Sequence, residues 1–305
     1  MFVEDSGFFH CLHKLYRGGK MKKLLIQLDT DKRASTFDQV VAYDAGADKL
    51  IIHSGITKEE VEDIIYGAIF TRLPKKMKNT AVFVGGSDVE KGEEIVKAVE
   101  DVFFANFRVS VLLDSNGSNT TAAASVLKVK EKIDLNGTEV LILAGTGPVG
   151  VRAAALFAME GASVTISSRS QEKADKKAEM IMEEYELENI KGIEANTESD
   201  FIKAMKNQEV ILSAGPPGIN FISRDMWEKE KSIKVMADIN AVSPAGIEGI
   251  EPTANGDELA GIKVFGALGI GGLKMKLHKK AVAELFKSND QILNAVEVYK
   301  LNEKL

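Results

Sequence analysis

Near the C-terminus of this 305-residue chain, Gly271-Gly-Leu-Lys274-Met-Lys-Leu-His278 opens a helical pattern in which Lys274 and His278, four residues apart, share a face. Leu273, Leu277, Ala281 and Leu285 form the adjoining apolar stripe. A lysine at the edge of such a stripe is ordinarily a solvated side chain. Its place after a glycine run, beside an expected cleft between two domains, makes a functional cation an equal reading. Polar stretches also recur where apolar runs of strand length end: Asp29-Thr-Asp31, Gly85-Gly-Ser-Asp88, Asp114-Ser-Asn116-Gly-Ser-Asn119, Ala214-Gly215-Pro-Pro-Gly218 and Asp238-Ile-Asn240. Each alone is a strand-to-helix turn with an N-cap, for which Ser, Asp and Asn are suited. Their occurrence in both halves suggests two facing half-sites, because open parallel sheets bind ligands outside the carboxyl ends of their strands.

The most informative turn is Gly145-Thr146-Gly147-Pro148-Val149-Gly150, between the apolar run Val140–Leu143 and an alanine-rich helical segment. In this order the first glycine makes the tight turn, the second admits a pyrophosphate to the backbone, and the third lets helix and strand pack closely. The free N–H groups of the new helix then face the phosphates. After the next strand, Ser163–Ser168, a site selective for NAD would carry Asp or Glu on the ribose. This chain instead reads Ser167-Ser168-Arg169-Ser170, with Lys173 close behind. Arg169 can pair with a 2′-phosphate, so NADP is favoured and NAD is a secondary cofactor. Ala214, Gly215 and Asn240, at later strand ends of the same half, are further candidate cofactor contacts.

The elements that must position these groups follow a regular alternation of strand and helix from Lys22 onward. This predicts an α/β protein with two parallel-sheet domains, the second a Rossmann-type unit. The expected division is an N-terminal extension at 1–20, a first domain at 21–132 completed by C-terminal helices from 273 to 305, and a dinucleotide domain at 133–272. Thr57-x-x-Glu60 and Ser87-x-x-Glu90 are expected to cap helices. Gly266–Gly272 is expected to be a flexible hinge. Two helices, Leu273–Phe286 and Asp290–Leu301, are expected to pack back across the cleft. A hydrophobic content of 45% and a net charge of −6 suit a globular protein and give no support to nucleic-acid binding. No apolar run is long enough to span a membrane. The single cysteine, Cys11, excludes an internal disulfide and fits a reducing, cytoplasmic setting. His10-Cys11-x-His13 lacks a fourth ligand, and no HExxH pair occurs, so no metal site is expected.

Taken together, Gln27-x-Asp29-Thr-Asp31, Phe37-Asp38, Tyr43-Asp-x-Gly-Ala-Asp48, Phe83-Val-Gly-Gly86, Leu113–Ala124, Ala144–Gly150 and Phe265–Lys274 resemble the NADP-dependent methylene-tetrahydromethanopterin/methylene-tetrahydrofolate dehydrogenases of methylotrophic bacteria. The resemblance spans nearly the whole chain from Met21. It implies a pterin domain joined to an NADP domain, and reversible hydride transfer from the methylene carbon of a reduced pterin to nicotinamide. The cation left behind is stabilised by the substrate's own nitrogens, so no His–carboxylate pair is required. By the same resemblance Lys274 is the catalytic candidate, orienting or polarising the pterin ring system; it need not act as a base. Asp38 and His278 would lie near the pterin, with Asp29, Asp31 and Asn116 as further substrate contacts. A homo-oligomer is implied, a trimer among the assemblies it allows.

Related bifunctional folate enzymes carry Tyr-x-x-x-Lys for cyclohydrolase work. Within the resembling region no tyrosine has a lysine four residues later, and Tyr16 and Lys20, which have that spacing, fall in the extension. The expectation is therefore dehydrogenase activity without cyclohydrolase activity. Competing readings are an NAD(P) dehydrogenase of an amino-acid- or shikimate-type substrate, and a non-catalytic NADP sensor. Neither needs the Asp114–Ala124 block.

Overall fold

In the computed structural model the described residues are 21–304, and the predicted extension with His10, Cys11 and His13 lies outside them. The apolar runs Leu24–Asp29, Thr80–Gly85 and Ser110–Leu113 are buried on both faces and so need no strict alternation, whereas Lys49–Ser54 at the sheet edge is largely exposed. Strand β1 (Leu24–Asp29) is flanked by β2 (Lys49–Ser54) and β3 (Thr80–Gly85), and β3 by β4 (Ser110–Leu113), all parallel. Between them run α1 (Thr36–Asp44), α2 (Val61–Ile69) and α3 (Val89–Val102), with α4 (Ser118–Lys130) following β4. Glu60 accepts from the Thr57 N–H at 3.0 Å, and the box opens a short 3-10 turn ahead of α2. The cap of α3 differs from expectation: Asp88, one residue later than Ser87, accepts from the Lys91 N–H at 3.1 Å. Ser87 is engaged elsewhere, with its hydroxyl donating to Asp31 at 2.8 Å.

The second sheet contains β5 (Glu139–Leu143), β6 (Ser163–Ser168), β7 (Ile190–Glu194), β8 (Val210–Ser213), β9 (Val235–Asp238), β10 (Asn255–Leu259) and β11 (Ile262–Phe265), in the order β10-β11-β9-β8-β5-β6-β7. Without β10 this is the doubly wound dinucleotide order, in which the chain reverses direction across β5 and β8. β10 is absent from the sequence-based expectation; it pairs antiparallel with β11 as the outer strand of a hairpin. Its sequence, Asn-Gly-Asp-Glu-Leu, is too polar to announce a strand, and its outward position explains why. The connecting helices are α5 (Pro148–Met159), α6 (Gln171–Tyr185), α7 (Glu198–Met205) and the single turn α8 (Arg224–Trp227).

Two predicted features at the C-terminus are corrected. The glycine run is not a hinge: α9 spans Ala267–Glu284, so the glycines form its first turns. A Cβ on Gly269 would stand 2.0 Å from the Ala254 carbonyl oxygen, and one on Gly266 2.1 Å from that of Glu251. These glycines permit close packing of the helix start against neighbouring backbone, which is a rigid use of the residue. The predicted helix Asp290–Leu301 is interrupted. Ile292–Leu293 form β12, parallel to β4, and only then does α10 (Ala295–Lys300) begin. The first sheet is therefore ordered β12-β4-β3-β1-β2, and the chain returns to it after completing the second.

The two sheets share one core. Ala122, Ala123 and Ala124 of α4 and Ala153, Ala154 and Ala155 of α5 are all buried, in a cluster that also contains Phe83 and Leu112 from the first sheet and Ile142 and Leu212 from the second. Small side chains bring the two helices close, and α9 packs against both α1 and α4.

Candidate functional site

In the first sheet the strand order changes direction between β1 and β3, and that switch point is where the polar turns meet. Asp29 is fully buried at the end of β1 and accepts from Gln27 Nε2 at 3.1 Å and from the Asp31 and Ser35 N–H groups at 3.0 Å each. Asp31 accepts from the Ser87 N–H at 3.0 Å, which ties the β1 turn to the β3 turn. Gly86 has φ +103, and a Cβ there would lie 2.0 Å from Thr30 Oγ1, so only glycine fits this crossing. Asn116 is exposed and in the left-handed region at φ 54. Its N–H donates to the Gly86 carbonyl at 2.6 Å, which joins the β4 turn to the β3 turn.

Four charged or titratable groups converge beside these turns. His278 is fully buried, with Nε2 3.9 Å from an Asp38 oxygen and Nδ1 4.0 Å from an Asp114 oxygen. Both separations exceed hydrogen-bond range, and neither ring nitrogen has a hydrogen-bond partner among the described residues. The ring stacks on Phe83 at 5.6 Å and tilts against Phe37 at 6.2 Å. Asp114 is held by Thr120, whose N–H and hydroxyl donate at 3.0 and 2.7 Å. Lys274 Nζ lies 5.4 Å from the centre of the Phe37 ring, and a Cβ on Gly117 would approach it to 2.8 Å. Thus Lys274 and His278 do share the face that α9 turns toward the switch point.

Burial governs the protonation of this cluster. It pushes Asp38 up to about 6; the Ser35 hydrogen bond pulls it down, Asp114 adds to the rise, and Lys274 opposes it. Burial also pushes His278 down to about 4, with Asp114 pulling the other way and Lys274 reinforcing the fall. At neutral pH the site therefore holds a neutral imidazole and an ionised Asp38.

In the second sheet the switch point falls between β5 and β8, where the glycine turn lies. A Cβ on Gly145 would meet Ile166 at 2.8 Å, and one on Gly150 would meet the Gly145 backbone at 2.6 Å, so both glycines serve packing. Gly147 differs: a Cβ there meets nothing nearer than 3.7 Å, leaving an open cradle at the start of α5. An opening of this kind at a helix N-terminus is suited to a pyrophosphate; Thr146, Pro148 and Val149 flank it in the sequence. The turn is braced by Ser167, whose hydroxyl accepts from the Ala144 N–H at 3.1 Å and whose carbonyl accepts from the Gly145 N–H at 2.9 Å. Ser168, the predicted neighbour, is buried at the end of β6. Arg169 and Lys173 lie beyond it, where Lys173 lines a recess of 550 Å³ with Ser170, Glu172, Met180, Lys176 and Lys177. The last two are lysines that the sequence does not single out. Asn240 donates from Nδ2 to the Gly215 carbonyl at 3.1 Å, so it fixes the loop beyond Ala214 and Gly215.

The sequence marks Asp114 as the head of a polar strand-end turn, Ser167 as a donor beside the 2′-phosphate and Phe83 as part of the resemblance, but it does not show that Asp114 faces His278, that Phe83 stacks on its ring or that Ser167 braces the glycine turn. Among the described residues, no group of three or more His, Cys, Asp or Glu side chains is placed to hold a metal ion.

Strand order, glycine cradle and paired switch points define an α/β protein of the dinucleotide-dependent dehydrogenase type. Solved structures agree on the fold: quinate dehydrogenase from Corynebacterium glutamicum in complex with NAD has a TM-score of 0.52 at 11% identity, covering 93% of this chain and 99% of that one. Shikimate 5-dehydrogenase from Listeria monocytogenes gives 0.51 at 13% identity, covering 93% and 96%. Sequence relatives are more specific. The family model for the N-terminal part of methylene-tetrahydromethanopterin dehydrogenase matches residues 36–116. "Bifunctional protein MdtA" of Methylorubrum extorquens is 43% identical over 286 residues, 93% of this chain and 99% of that protein. The NAD(P)-dependent methylenetetrahydromethanopterin dehydrogenase of the same organism is 30% identical over 290 residues, covering 92% and 97%. The chain belongs to the methylene-tetrahydromethanopterin dehydrogenase family.

Proposed function

We infer that this protein is an NAD(P)-dependent methylene-tetrahydromethanopterin dehydrogenase that uses NADP in preference to NAD and also accepts methylene-tetrahydrofolate. The observation that supports this most is the convergence of Asp38, Asp114, Lys274 and His278 at the first sheet's switch point, in a chain whose second sheet carries the open Gly147 cradle at its own switch point. Residues 21–132, together with α9 and the chain after it (267–304), bind the pterin, and residues 133–266 bind the dinucleotide. Gly145–Gly150 hold the pyrophosphate, while Arg169 and Lys173 meet the 2′-phosphate. When bound, the nicotinamide supplies a hydride acceptor.

The chain's own residues orient the donor. The Lys274 ammonium, against the Phe37 ring, donates to the pterin and fixes its ring plane. In the reaction the methylene C–H bond breaks, hydrogen leaves with both electrons, and positive charge spreads over the two flanking nitrogens. Ionised Asp38 and the acidic surroundings of Asp29 and Asp114 favour that developing charge. No proton has to leave, which fits a histidine held neutral. Exclusion of water and alignment of two flat rings then account for most of the rate. Methenyl hydrolysis is not proposed as part of the activity: from Met21 onward, the stretch that carries the family resemblance, no Tyr-x-x-x-Lys pair occurs. The setting is cytoplasmic, and the protein self-associates.

The test offers methylene-tetrahydromethanopterin, methylene-tetrahydrofolate and a hydroxy acid in parallel, each with NADP and NAD, while absorbance of the reduced nicotinamide and the methenyl product is followed. Turnover of a methylene-pterin with NADP is expected. Activity with the hydroxy acid alone would overturn the reading, and methenyl hydrolysis above the spontaneous rate would overturn the claim of a single activity.

A further inference from the structure

Arg152 is a charged side chain only 8% exposed, on α5 just beyond the glycine turn, and it belongs to neither half-site described above. Its Nη1 donates to the Pro148 carbonyl at 3.1 Å, at the first residue of the phosphate-facing helix. Its Nη2 pairs with Glu93 of α3 at 2.7 Å. Its Nε donates to Oδ1 of the buried Asn119 on α4. The other end of that amide, Nδ2, donates to the Leu113 carbonyl at 2.6 Å, the peptide immediately before Asp114. A cleft of 340 Å³ lined by Glu93, Leu113, Asn119, Arg152, Tyr185 and Asn294 opens on this flank, with walls from both halves of the chain. Across it, one planar guanidinium links the start of the dinucleotide helix to the strand end that carries Asp114.

We propose that Arg152, acting through Asn119, is a positioning residue that sets the placement of the dinucleotide turn relative to the pterin crevice. The inference rests on the hydride-transfer reading above. Such a reaction depends steeply on alignment, and a displacement of about 1 Å far from the chemistry can cost about a hundredfold in rate. Arginine suits the position because its planar fork spreads Nε, Nη1 and Nη2 toward acceptors on three different elements, a reach the compact ammonium of lysine does not match. A purely structural role would appear as lost stability with unchanged turnover per folded molecule.

The experiment compares wild-type protein with Arg152→Met, which keeps the apolar stem, and with Arg152→Lys. In Arg152→Met, kcat for methylene-pterin oxidation should fall about tenfold or more, while the NADP dissociation constant stays within about threefold. Arg152→Lys should recover part of the loss. Adding Asn119→Ala to Arg152→Met should cost less than about twofold further, because the two side chains act as one unit. In the ligand-free protein, amide exchange of the Ser110–Thr120 segment should quicken in Arg152→Met while α1 is unchanged. Turnover per NADP-binding site within about twofold of wild type, or full additivity with Asn119→Ala, would overturn the proposal. Wild-type protein without methylene-pterin turnover would overturn the functional reading instead, and the exchange comparison would then decide the linkage by itself.

Discussion

The cluster around His278 is tuned by burial, and its consequences can be measured residue by residue. Asp38 carries a carboxyl pushed from 3.8 to about 6 on a side chain 17% exposed. The stability this group contributes is present below pH 3.8 and is lost as pH rises through about 6, by at most about 3 kcal/mol. Asp38→Asn should therefore raise the urea midpoint at pH 7 and confer little at pH 4; an equal shift at both would contradict the assignment. His278 has the opposite sign. Its contribution is present above pH 6.5 and is lost as pH falls through about 4. The same residues are expected to limit function, so Asp38→Asn should gain stability and lose activity, as a charge held in a binding site does. Lys274→Ala should fold normally and lose at least about a hundredfold in kcat, measured by steady-state kinetics. Normal turnover in that variant would remove Lys274 from the catalytic role.

At the scale of elements, glycines with similar sequence signatures do different work. Gly150→Ala would drive a Cβ to 2.6 Å from the Gly145 backbone and should cost about 1–3 kcal/mol of stability, seen in thermal melts. Gly147→Ala meets nothing closer than 3.7 Å, so it should melt like wild type yet bind NADP more weakly. Equal melting losses in the two variants would refute this separation of packing from binding. At the end of β6, Arg169→Ser should cut the NADP-over-NAD preference by about tenfold to a hundredfold, the worth of a charge-assisted phosphate contact. An unchanged preference would place the 2′-phosphate elsewhere, with Lys176 and Lys177 the next candidates.

The same elements show what a sequence can reveal. Strands β1, β3, β5 and β8 are legible because both their faces are buried, and continuous apolar runs follow directly from that. The outer strand β10 and the two-residue β12 are not, since edge pairing asks little of side-chain pattern. Glycines after β11 read as flexibility because composition does not distinguish a hinge from a close contact; only the carbonyls of Glu251 and Ala254 beside them decide it. In the candidate site, Lys274 and His278 are legible through their four-residue spacing. The approach of His278 to Asp114 is not, because it joins residues 164 positions apart whose meeting depends on α9 returning to the first sheet.

For the whole molecule, the first sheet ends in an apolar edge. Ile51 and Ile52 of β2 are 43% and 44% exposed, and Phe37, Val40 and Tyr43 of α1 are exposed as well. An uncovered edge of this kind favours pairing with another chain. If the proposed self-association uses this edge, Ile51→Lys combined with Ile52→Lys should shift sedimentation toward a smaller species; an unchanged distribution would contradict that use of the edge. The molecule has a switch point in each of its two sheets, and the proposed reaction passes hydrogen directly between two molecules bound at them. The most direct test uses methylene-tetrahydromethanopterin deuterated at the methylene carbon, with NADP in ordinary water. Deuterium recovered on the reduced nicotinamide ring is the predicted result; its release to solvent, with unlabelled NADPH formed, would contradict direct transfer.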